Sequence, residues 1–281
     1  MQKKILLHSC CGPCSIMALE YLKKNNFEPH IFYYNPNILP QKEYFLRLSA
    51  MQQVANYYQV PLVIGNNKEF FEREKAQRHM LKKTWLKENF SHLFEPSPLM
   101  QEAIQKILTK WKNYASLFPC HEFENLSIYW DNQHLLNPDL ETLNSLLIID
   151  SYAFVSYLGN YQEKERCKEC YKERMIKSVF YAKEQGFTEF SSTLLYSKYQ
   201  NHEDICFAIE NAVQLANQNT ANPLHFCYVD FREFWQQGID KSKELNIYRQ
   251  KWCGCILSRL ESLRQMADRE HEKLLRKQNI H

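Results

Sequence analysis

The cysteines of this chain fall into three short clusters, and their spacing is that of residues that bind metals or exchange electrons. Of ten cysteines in 281 residues, seven belong to these clusters. The clusters are Cys10, Cys11 and Cys14 in one loop, the Cys-x-x-Cys pair Cys167 and Cys170, and the Cys-x-Cys pair Cys253 and Cys255. Thiolates grouped in distant parts of a sequence are typical of soft-metal and iron–sulfur sites.

Two alternatives are buried small hydrophobic residues and disulfides, and scattered cysteines would fit either of them. The adjacent pair Cys10 and Cys11 fits both poorly, because neighbouring cysteines gain little from packing. By contrast, Cys120, Cys206 and Cys227 have no partner at a suitable spacing, and we interpret them as structural.

Adjacent thiolates suit the corners of an iron–sulfur cube, whereas structural zinc sites usually space their ligands by about two to four residues. Cys10 and Cys11 together with Cys167 and Cys170 would supply the four ligands of such a cube. Cys14 is left over at the start of the following helix, where it could bind a second metal or act as a thiol.

Residues 11–14 have the sequence Cys-Gly-Pro-Cys, which is that of the thioredoxin active site. In thioredoxins the N-terminus of a helix lowers the pKa of one of the two thiols. Thioredoxin-like dithiol exchange needs only this pair, so it leaves Cys10 and the other two clusters unexplained. We therefore favour a metal site over dithiol exchange.

The pair Cys253 and Cys255 has a single residue between its members. A disulfide across this spacer would close a small strained ring, and strained bridges are readily reduced. A redox relay feeding the metal site is one hypothesis for this pair, and metal ligation by one of its members is the other.

The bulk composition is that of an ordinary globular chain, with 44% hydrophobic and 24% charged residues. A net charge of +3 is too small to indicate nucleic-acid binding by itself. We see no secretory signal and no apolar run of about 18 residues, so we expect a cytoplasmic chain with no membrane partner. A reducing compartment would keep the thiols available for metals.

Apolar runs predict strands over residues 3–8, 30–34 and 62–64, which alternate with helices over residues 15–24 and 43–58. This alternation predicts an α/β fold with a Rossmann-like parallel sheet flanked by helices. The first cysteine loop then lies at the carboxyl end of a strand and at a helix N-terminus. Ligands collect at that end of such sheets, and the helix dipole favours thiolate.

The same alternation resumes after the second cysteine cluster. It predicts helices over residues 169–185, 204–217, 234–245 and 259–277, and strands over residues 189–195 and 226–229. Residues 73–159 differ in character, and we interpret them as an inserted, largely helical subdomain that includes a helix over 99–117. The catalytic α/β domain with the iron–sulfur site would then comprise residues 1–72 and 160–281.

Several polar residues are further candidates for contacts with substrate. Asn35 and Asn37 end the second predicted strand, where ordinary turn chemistry is the alternative. Tyr199 and His202 belong to a polar segment that follows a later strand, and Arg232 could meet a phosphate. Taken alone, each of these residues is better explained as plain turn or surface.

Taken together, six segments resemble the QueH family of epoxyqueuosine reductases, in the order of that family. They are residues 4–14, 34–38 with 43–44, 166–171 with 174, 193–195 with 199–202, 230–232, and 248–255. Two departures are a segment before Cys167 that is longer than we expect for the family, and Trp252 in place of the usual Tyr.

The resemblance implies reduction of epoxyqueuosine to queuosine at the wobble position of tRNA, without cobalamin and with electrons from an unidentified donor. It also implies a disulfide between Cys253 and Cys255. The implied cofactor is a [4Fe–4S] cluster on four cysteines, namely Cys10, Cys11, Cys167 and Cys170.

Removal of an epoxide oxygen as water needs two electrons, two protons and a Lewis acid. A second iron, held by Cys14, could polarise the epoxide, and His8 or Asp230 could supply protons. The wobble base would have to unstack before it entered the site, where aromatic residues would hold it.

Two other functions are alternatives. An iron–sulfur tRNA thiolation enzyme of the ATP-pyrophosphatase type would carry a Ser-Gly-Gly-x-Asp-Ser phosphate loop after the first strand. Residues 9–14 replace those glycines with cysteines and proline, which makes a poor phosphate cradle. A structural zinc or RNA-binding protein is the second alternative, and it would contain zinc and lack visible absorbance.

Overall fold

The computed structural model describes residues 2–38, 41–65, 98–118 and 163–278. The chain divides into two compact units, which we call the sheet unit and the helical unit. The sheet unit comprises Met1–Pro36, Arg47–Asn67 and Glu163–Arg249, and the helical unit comprises Asn37–Leu46, Lys68–Gln162 and Gln250–His281. The domain limits expected from the sequence, 1–72 with 160–281 and 73–159, stay a prediction.

The sheet unit is built on five parallel strands in the order β3-β2-β1-β4-β5. These strands are β1 (Lys3–His8), β2 (Phe27–Tyr33), β3 (Leu62–Ile64), β4 (Glu189–Ser192) and β5 (His225–Phe226). Ile5, Leu6 and Leu7 of β1 are all buried, as expected for a strand with helices on both faces of its sheet. The predicted α/β fold with a parallel sheet flanked by helices is therefore confirmed.

Seven helices lie within the described residues. They are α1 (Gly12–Lys24), α2 (Gln41–Tyr58), α3 (Pro98–Ser116), α4 (Glu163–Glu184), α5 (His202–Ala216), α6 (Trp235–Glu244) and α7 (Ile256–Gln278). Two short 3₁₀ helices, Thr193–Tyr196 and Phe231–Phe234, follow β4 and β5. No helix among the described residues is both long and apolar enough to cross a membrane.

Most elements begin or end at other residues than the sequence predicts, and three of these differences bear on the cysteines or on the segment after β4. Helix α1 begins at Gly12, because Pro13 suits the first turn of a helix, and Cys14 therefore lies inside α1. Helix α4 begins at Glu163 rather than at residue 169, so both of its cysteines are helical. The predicted strand over residues 189–195 ends at Ser192, whose hydroxyl accepts a hydrogen bond from the amide of Leu194 and starts a 3₁₀ helix.

Helices α1 and α2 approach each other closely in the sheet unit. A β-carbon added at Gly12 would lie 2.8 Å from the carbonyl oxygen of Ala50 in α2. Glycine at position 12 therefore allows α1 and α2 to approach this closely next to Cys11.

The described part of the helical unit is organised around α3 and α7. Ile104, Ile107, Leu108 and Ala267 form a buried apolar cluster, and Lys110 pairs with Glu270 at 3.3 Å. Helix α3 falls where the sequence predicts a helix over residues 99–117. The remainder of the predicted insertion lies outside the described residues.

Candidate metal centre

Three cysteine thiols converge at the carboxyl end of β1. The Cys10 and Cys11 sulfurs are 3.8 Å apart, and those of Cys11 and Cys14 are 2.7 Å apart. All three sulfurs lie within 4.8 Å of one another. A cluster of three soft donors, two of them buried, can hold a soft metal or part of an iron–sulfur cluster.

Hydrogen bonds from three elements fix the loop that carries these thiols. The Ser9 amide donates to the carbonyl of Phe32, at 3.0 Å, just as β2 ends. The Thr193 hydroxyl accepts from the Cys10 amide at 3.1 Å and lies 3.5 Å from the Cys10 sulfur. The Ser15 hydroxyl donates to the Cys11 carbonyl at 2.9 Å. The loop is thus held in place by the ends of β2 and β4 and by α1.

The three thiols differ in their tendency to ionise. Hydrogen bonds from Cys11 and Cys14, followed by the nearby Arg174, hold the pKa of Cys10 well below its usual range. Burial first of all raises the pKa of Cys11, although Arg47 opposes this effect. Hydrogen bonds with Cys10 and Cys11 raise the pKa of Cys14. The cluster therefore holds one thiolate readily, and a metal would displace the protons of the other two thiols.

Arg174 of α4 connects the second cysteine cluster to the first. Its guanidinium is buried, with Nη1 3.9 Å from the Cys170 sulfur and Nη2 donating to Asn35 Oδ1 at 2.8 Å. Asn35 in turn donates from Nδ2 to the Ser9 carbonyl at 2.8 Å. One guanidinium and one amide therefore link Cys170 to the residue that precedes Cys10.

Cys167 lies three residues before Cys170 on α4, a spacing that places both on one face of the helix. Among the described residues, the group of sulfurs within 4.8 Å of one another consists of the three N-terminal cysteines and does not include this pair. The set of four ligands expected from the sequence therefore stays a prediction.

His8 is buried at the end of β1 with hydrogen bonds at both ring nitrogens. Nε2 donates to the Tyr34 carbonyl at 3.1 Å, which leaves Nδ1 to accept from the Ser192 hydroxyl at 2.9 Å. Burial, and secondarily Arg174, lowers the pKa of His8 to about 3. The neutral ring connects β1 to the residue that follows β2 and to the last residue of β4, and its predicted role as a proton donor stays untested.

Asp230 and Arg232 form a two-point ion pair at the start of the 3₁₀ helix Phe231–Phe234. Asp230 Oδ1 accepts from the Arg232 amide at 3.1 Å and from Nε at 2.8 Å, while Oδ2 accepts from Nη2 at 2.5 Å. These hydrogen bonds lower the pKa of the Asp230 carboxyl. The geometry therefore makes Asp230 a cap, and its predicted part in proton transfer is not tested.

The candidate substrate residues Tyr199 and His202 follow β4, and a ladder of aromatic rings runs beneath Tyr199. The Tyr199 ring meets the Trp235 ring edge-on with centroids 5.5 Å apart, and Trp235 stacks on Tyr196 at 5.1 Å. His202 Nε2 lies 3.1 Å from the hydroxyl of Tyr228. Sequence analysis did not single out Tyr196 or Trp235, although Trp235 closely follows the segment 230–232 that it did single out.

The remaining candidates belong to the helical unit. The Asn37 amide oxygen is buried and accepts no hydrogen bond from the residues that the structure describes. Cys253 is exposed, and the Cys255 sulfur lies 3.4 Å from the Ser258 amide, near the start of α7. The structure does not show a disulfide between Cys253 and Cys255, so that pairing stays a prediction, and Cys120 lies outside the described residues.

Comparison with known proteins identifies the family. A family model described as "Epoxyqueuosine reductase QueH" matches residues 5–90 and 99–261. The chain belongs to this family. The resemblance seen in the sequence is therefore confirmed, as is the predicted enzyme class, an epoxyqueuosine reductase that is an oxidoreductase of tRNA modification.

Relatives from several bacteria match this QueH chain along nearly its whole length. The epoxyqueuosine reductase QueH of Dehalococcoides mccartyi is 24% identical over 93% of this chain and 95% of its own. That of Thermotoga maritima is 24% identical over 94% of each chain, and that of Acinetobacter baylyi is 23% identical over 91% of this chain and 80% of its own.

The comparisons also bear on the segment before Cys167, which the sequence suggested is longer than usual for the family. Within this segment the family model matches residues 73–90 and 99–159. The alignments with the first two relatives cover 93–95% of both chains. These matches cover most of the segment but do not compare its length with that in the relatives, so the expectation of a longer segment stays a prediction.

Proposed function

We propose that this QueH chain reduces epoxyqueuosine to queuosine at the wobble position of tRNA, with an iron–sulfur cluster and without cobalamin. The observation that carries the proposal is the convergence of three thiols at the carboxyl end of β1, in a chain of the QueH family. The carboxyl ends of parallel strands are where ligands bind in folds of this kind.

A [4Fe–4S] cluster fits the chemistry of this site. Its ligands would be thiolates, and Cys10 already favours that form. We propose Cys10, Cys11, Cys167 and Cys170 as the four ligands. The contacts from Cys170 through Arg174 and Asn35 to Ser9 support this set, because they connect Cys170 to the residue that precedes Cys10.

Two buried arginines suit a site that gathers negative charge. Arg174 and Arg47 are almost completely buried, and both lower the pKa of a cysteine in the loop. Buried thiolates are costly without a compensating positive charge, and these guanidinium groups supply it without adding a ligand.

Cys14 is the remaining thiol of the three N-terminal cysteines. We propose that it binds a second iron, whose chemistry would be Lewis-acid activation of the epoxide oxygen. Cys14 lies in the first turn of α1, so the helix dipole favours its thiolate form once a metal is present.

The overall reaction consumes two electrons and two protons and releases the epoxide oxygen as water. The bound cluster would pass these electrons to the substrate one at a time. We propose that Cys253 and Cys255 act as a dithiol that supplies them: closure to a disulfide gives two electrons to the cluster and releases two protons, and an external low-potential reductant then reduces the disulfide back to the dithiol. Both residues would then be essential for repeated turnover.

The test is a reaction of anaerobically reconstituted protein with tRNA that contains epoxyqueuosine and a low-potential reductant, with no cobalamin present. Nucleoside analysis by mass spectrometry should show conversion to queuosine. Unchanged epoxide beside an active control enzyme would refute the proposal. Purified protein that contains zinc and has no visible absorbance would instead favour a structural zinc protein.

A further inference from the structure

We propose that Tyr199 and Lys198 form a stacking platform for an unpaired base of the tRNA anticodon loop, next to the wobble nucleotide. The inference rests on the proposed function, because it takes tRNA as the substrate. It adds a binding site that is separate from the cysteine centre and names the chemistry of that site, an aromatic face beside a cation.

The first observation is the exposure of Tyr199. Its side chain is 86% exposed, although a large ring of this kind gains nothing for folding when it points into water. The backbone that presents the ring is nevertheless ordered. The Tyr199 amide donates to the Ser197 hydroxyl at 3.2 Å, and Asn201 caps α5 through the Asp204 amide at 3.0 Å.

The second observation is a path of rings from the segment that contacts the cysteine loop to this surface. Tyr196 is buried and donates its hydroxyl to the Trp235 carbonyl at 2.8 Å. It ends the 3₁₀ helix Thr193–Tyr196, whose first residue accepts a hydrogen bond from the Cys10 amide. Since Tyr196 stacks on Trp235 and Trp235 meets Tyr199, a base on Tyr199 would lie at the outer end of a ladder that begins at this 3₁₀ helix.

The third observation is the cation beside the rings. Lys198 is exposed, and its ammonium nitrogen lies 5.9 Å from the centre of the Trp235 ring. Arg232, by contrast, is held by Asp230. A ring that stacks on any base, beside a lysine that can meet a phosphate, is the combination used by proteins that bind single-stranded nucleic acid.

The experiment measures binding of a fluorescein-labelled anticodon stem-loop RNA to the anaerobically reconstituted holoenzyme by fluorescence anisotropy. Tyr199→Ala should weaken binding about 5- to 150-fold, the factor expected for loss of one base–aromatic stack. Tyr199→Phe should bind within about twofold of the parent. Lys198→Gln should reduce the slope of log Kd against log salt by about 0.7, the value for one contact to a single-stranded phosphate.

Phe207→Ala is the matched control, because Phe207 is also in the sheet unit and its side chain is 65% exposed. It should leave the affinity unchanged. Iron content and thermal melting should be equal in all four variants, since the altered side chains are exposed.

Equal affinity and equal salt slope for the parent, Tyr199→Ala and Lys198→Gln would overturn the inference. The inference would also fail if Tyr199→Ala bound RNA normally but converted epoxyqueuosine slowly with a protein reductant and at the normal rate with dithionite. In that case the ladder would be a docking site for an electron donor. Since conversion of epoxyqueuosine by the parent protein is measured separately, a failure of the proposed function is distinguishable from either result.

Discussion

Replacement of Gly12 by alanine should both destabilise the protein and impair the metal centre. The added β-carbon would lie 2.8 Å from the Ala50 carbonyl oxygen, 3.0 Å from its carbonyl carbon and 3.2 Å from its β-carbon. Two of these atoms are backbone in the middle of α2, so they cannot move unless the helix moves. The first turn of α1 must then shift, and it carries Cys14 and the capping residue Cys11.

The magnitude follows from two opposing effects. Overpacking of a tight contact typically costs about 1–3 kcal/mol, whereas the better helix propensity of alanine returns at most about 1 kcal/mol. Because the closest contacts are with backbone atoms, we take the upper part of the overpacking range, about 2–3 kcal/mol, so that Gly12→Ala should lower the free energy of unfolding by about 1–2 kcal/mol. Urea unfolding of the reduced, metal-free protein under anaerobic conditions measures this change without any contribution from the metal.

Gly186→Ala is a matched control for this experiment. Gly186 has a φ of +76°, and an added β-carbon would meet no atom within 4 Å. The substitution should cost about 1–2 kcal/mol through left-handed backbone strain alone. The two variants should thus have similar stability, while iron and sulfide content after reconstitution should fall only in Gly12→Ala. Full iron content in Gly12→Ala, or stability within about 0.5 kcal/mol of the parent, would refute the reasoning.

Three further predictions concern the same centre and the ring ladder. Cys167→Ala should abolish cluster assembly, whereas Cys206→Ala should leave it intact; equal iron content in the two would contradict the ligand set. Arg174→Gln removes a buried positive charge beside the cluster and should shift its midpoint potential to a more negative value in a redox titration followed by EPR. An unchanged midpoint potential would show that this guanidinium does not act on the cluster. Arg174→Lys keeps the positive charge and should bring the potential part of the way back to that of the parent. In Gly238→Ala the new β-carbon would overlap the Tyr196 hydroxyl. This variant should lose about 1–3 kcal/mol of stability and bind the stem-loop RNA more weakly; unchanged melting and affinity would count against the packing described for the ladder.

The parts of the fold that were predictable from the sequence are those that depend on local patterns. Strands β1 and β3 begin and end at the predicted residues, because each contains a short uninterrupted apolar run, residues 5–7 in β1 and 62–64 in β3. The position of the cysteine loop at a strand end and a helix start was also predictable, since it needs only the order of the elements along the chain.

The contacts of Arg174 were not predictable in this way. Its guanidinium donates a hydrogen bond to Asn35, which lies 139 residues earlier in the chain. A local sequence pattern cannot indicate a contact between residues so far apart. Likewise, residues 193–196 contain two leucines and a tyrosine and are typical of a strand. They form a 3₁₀ helix because the Ser192 side chain accepts the Leu194 amide and ends β4.

The order of the strands explains why residues from distant parts of the chain meet at the loop that carries Cys10, Cys11 and Cys14. Strand β1 lies between β2 and β4, so the segments that follow these three parallel strands meet at one edge of the sheet. Asn35 comes from the first neighbour and Thr193 from the second, and both hold the loop that follows β1. Helix α4 precedes β4 in the chain and places Arg174, with Cys170 one turn earlier, against that edge. The geometry of the loop that carries Cys10, Cys11 and Cys14 thus depends on the order of the strands and on the contacts of α4.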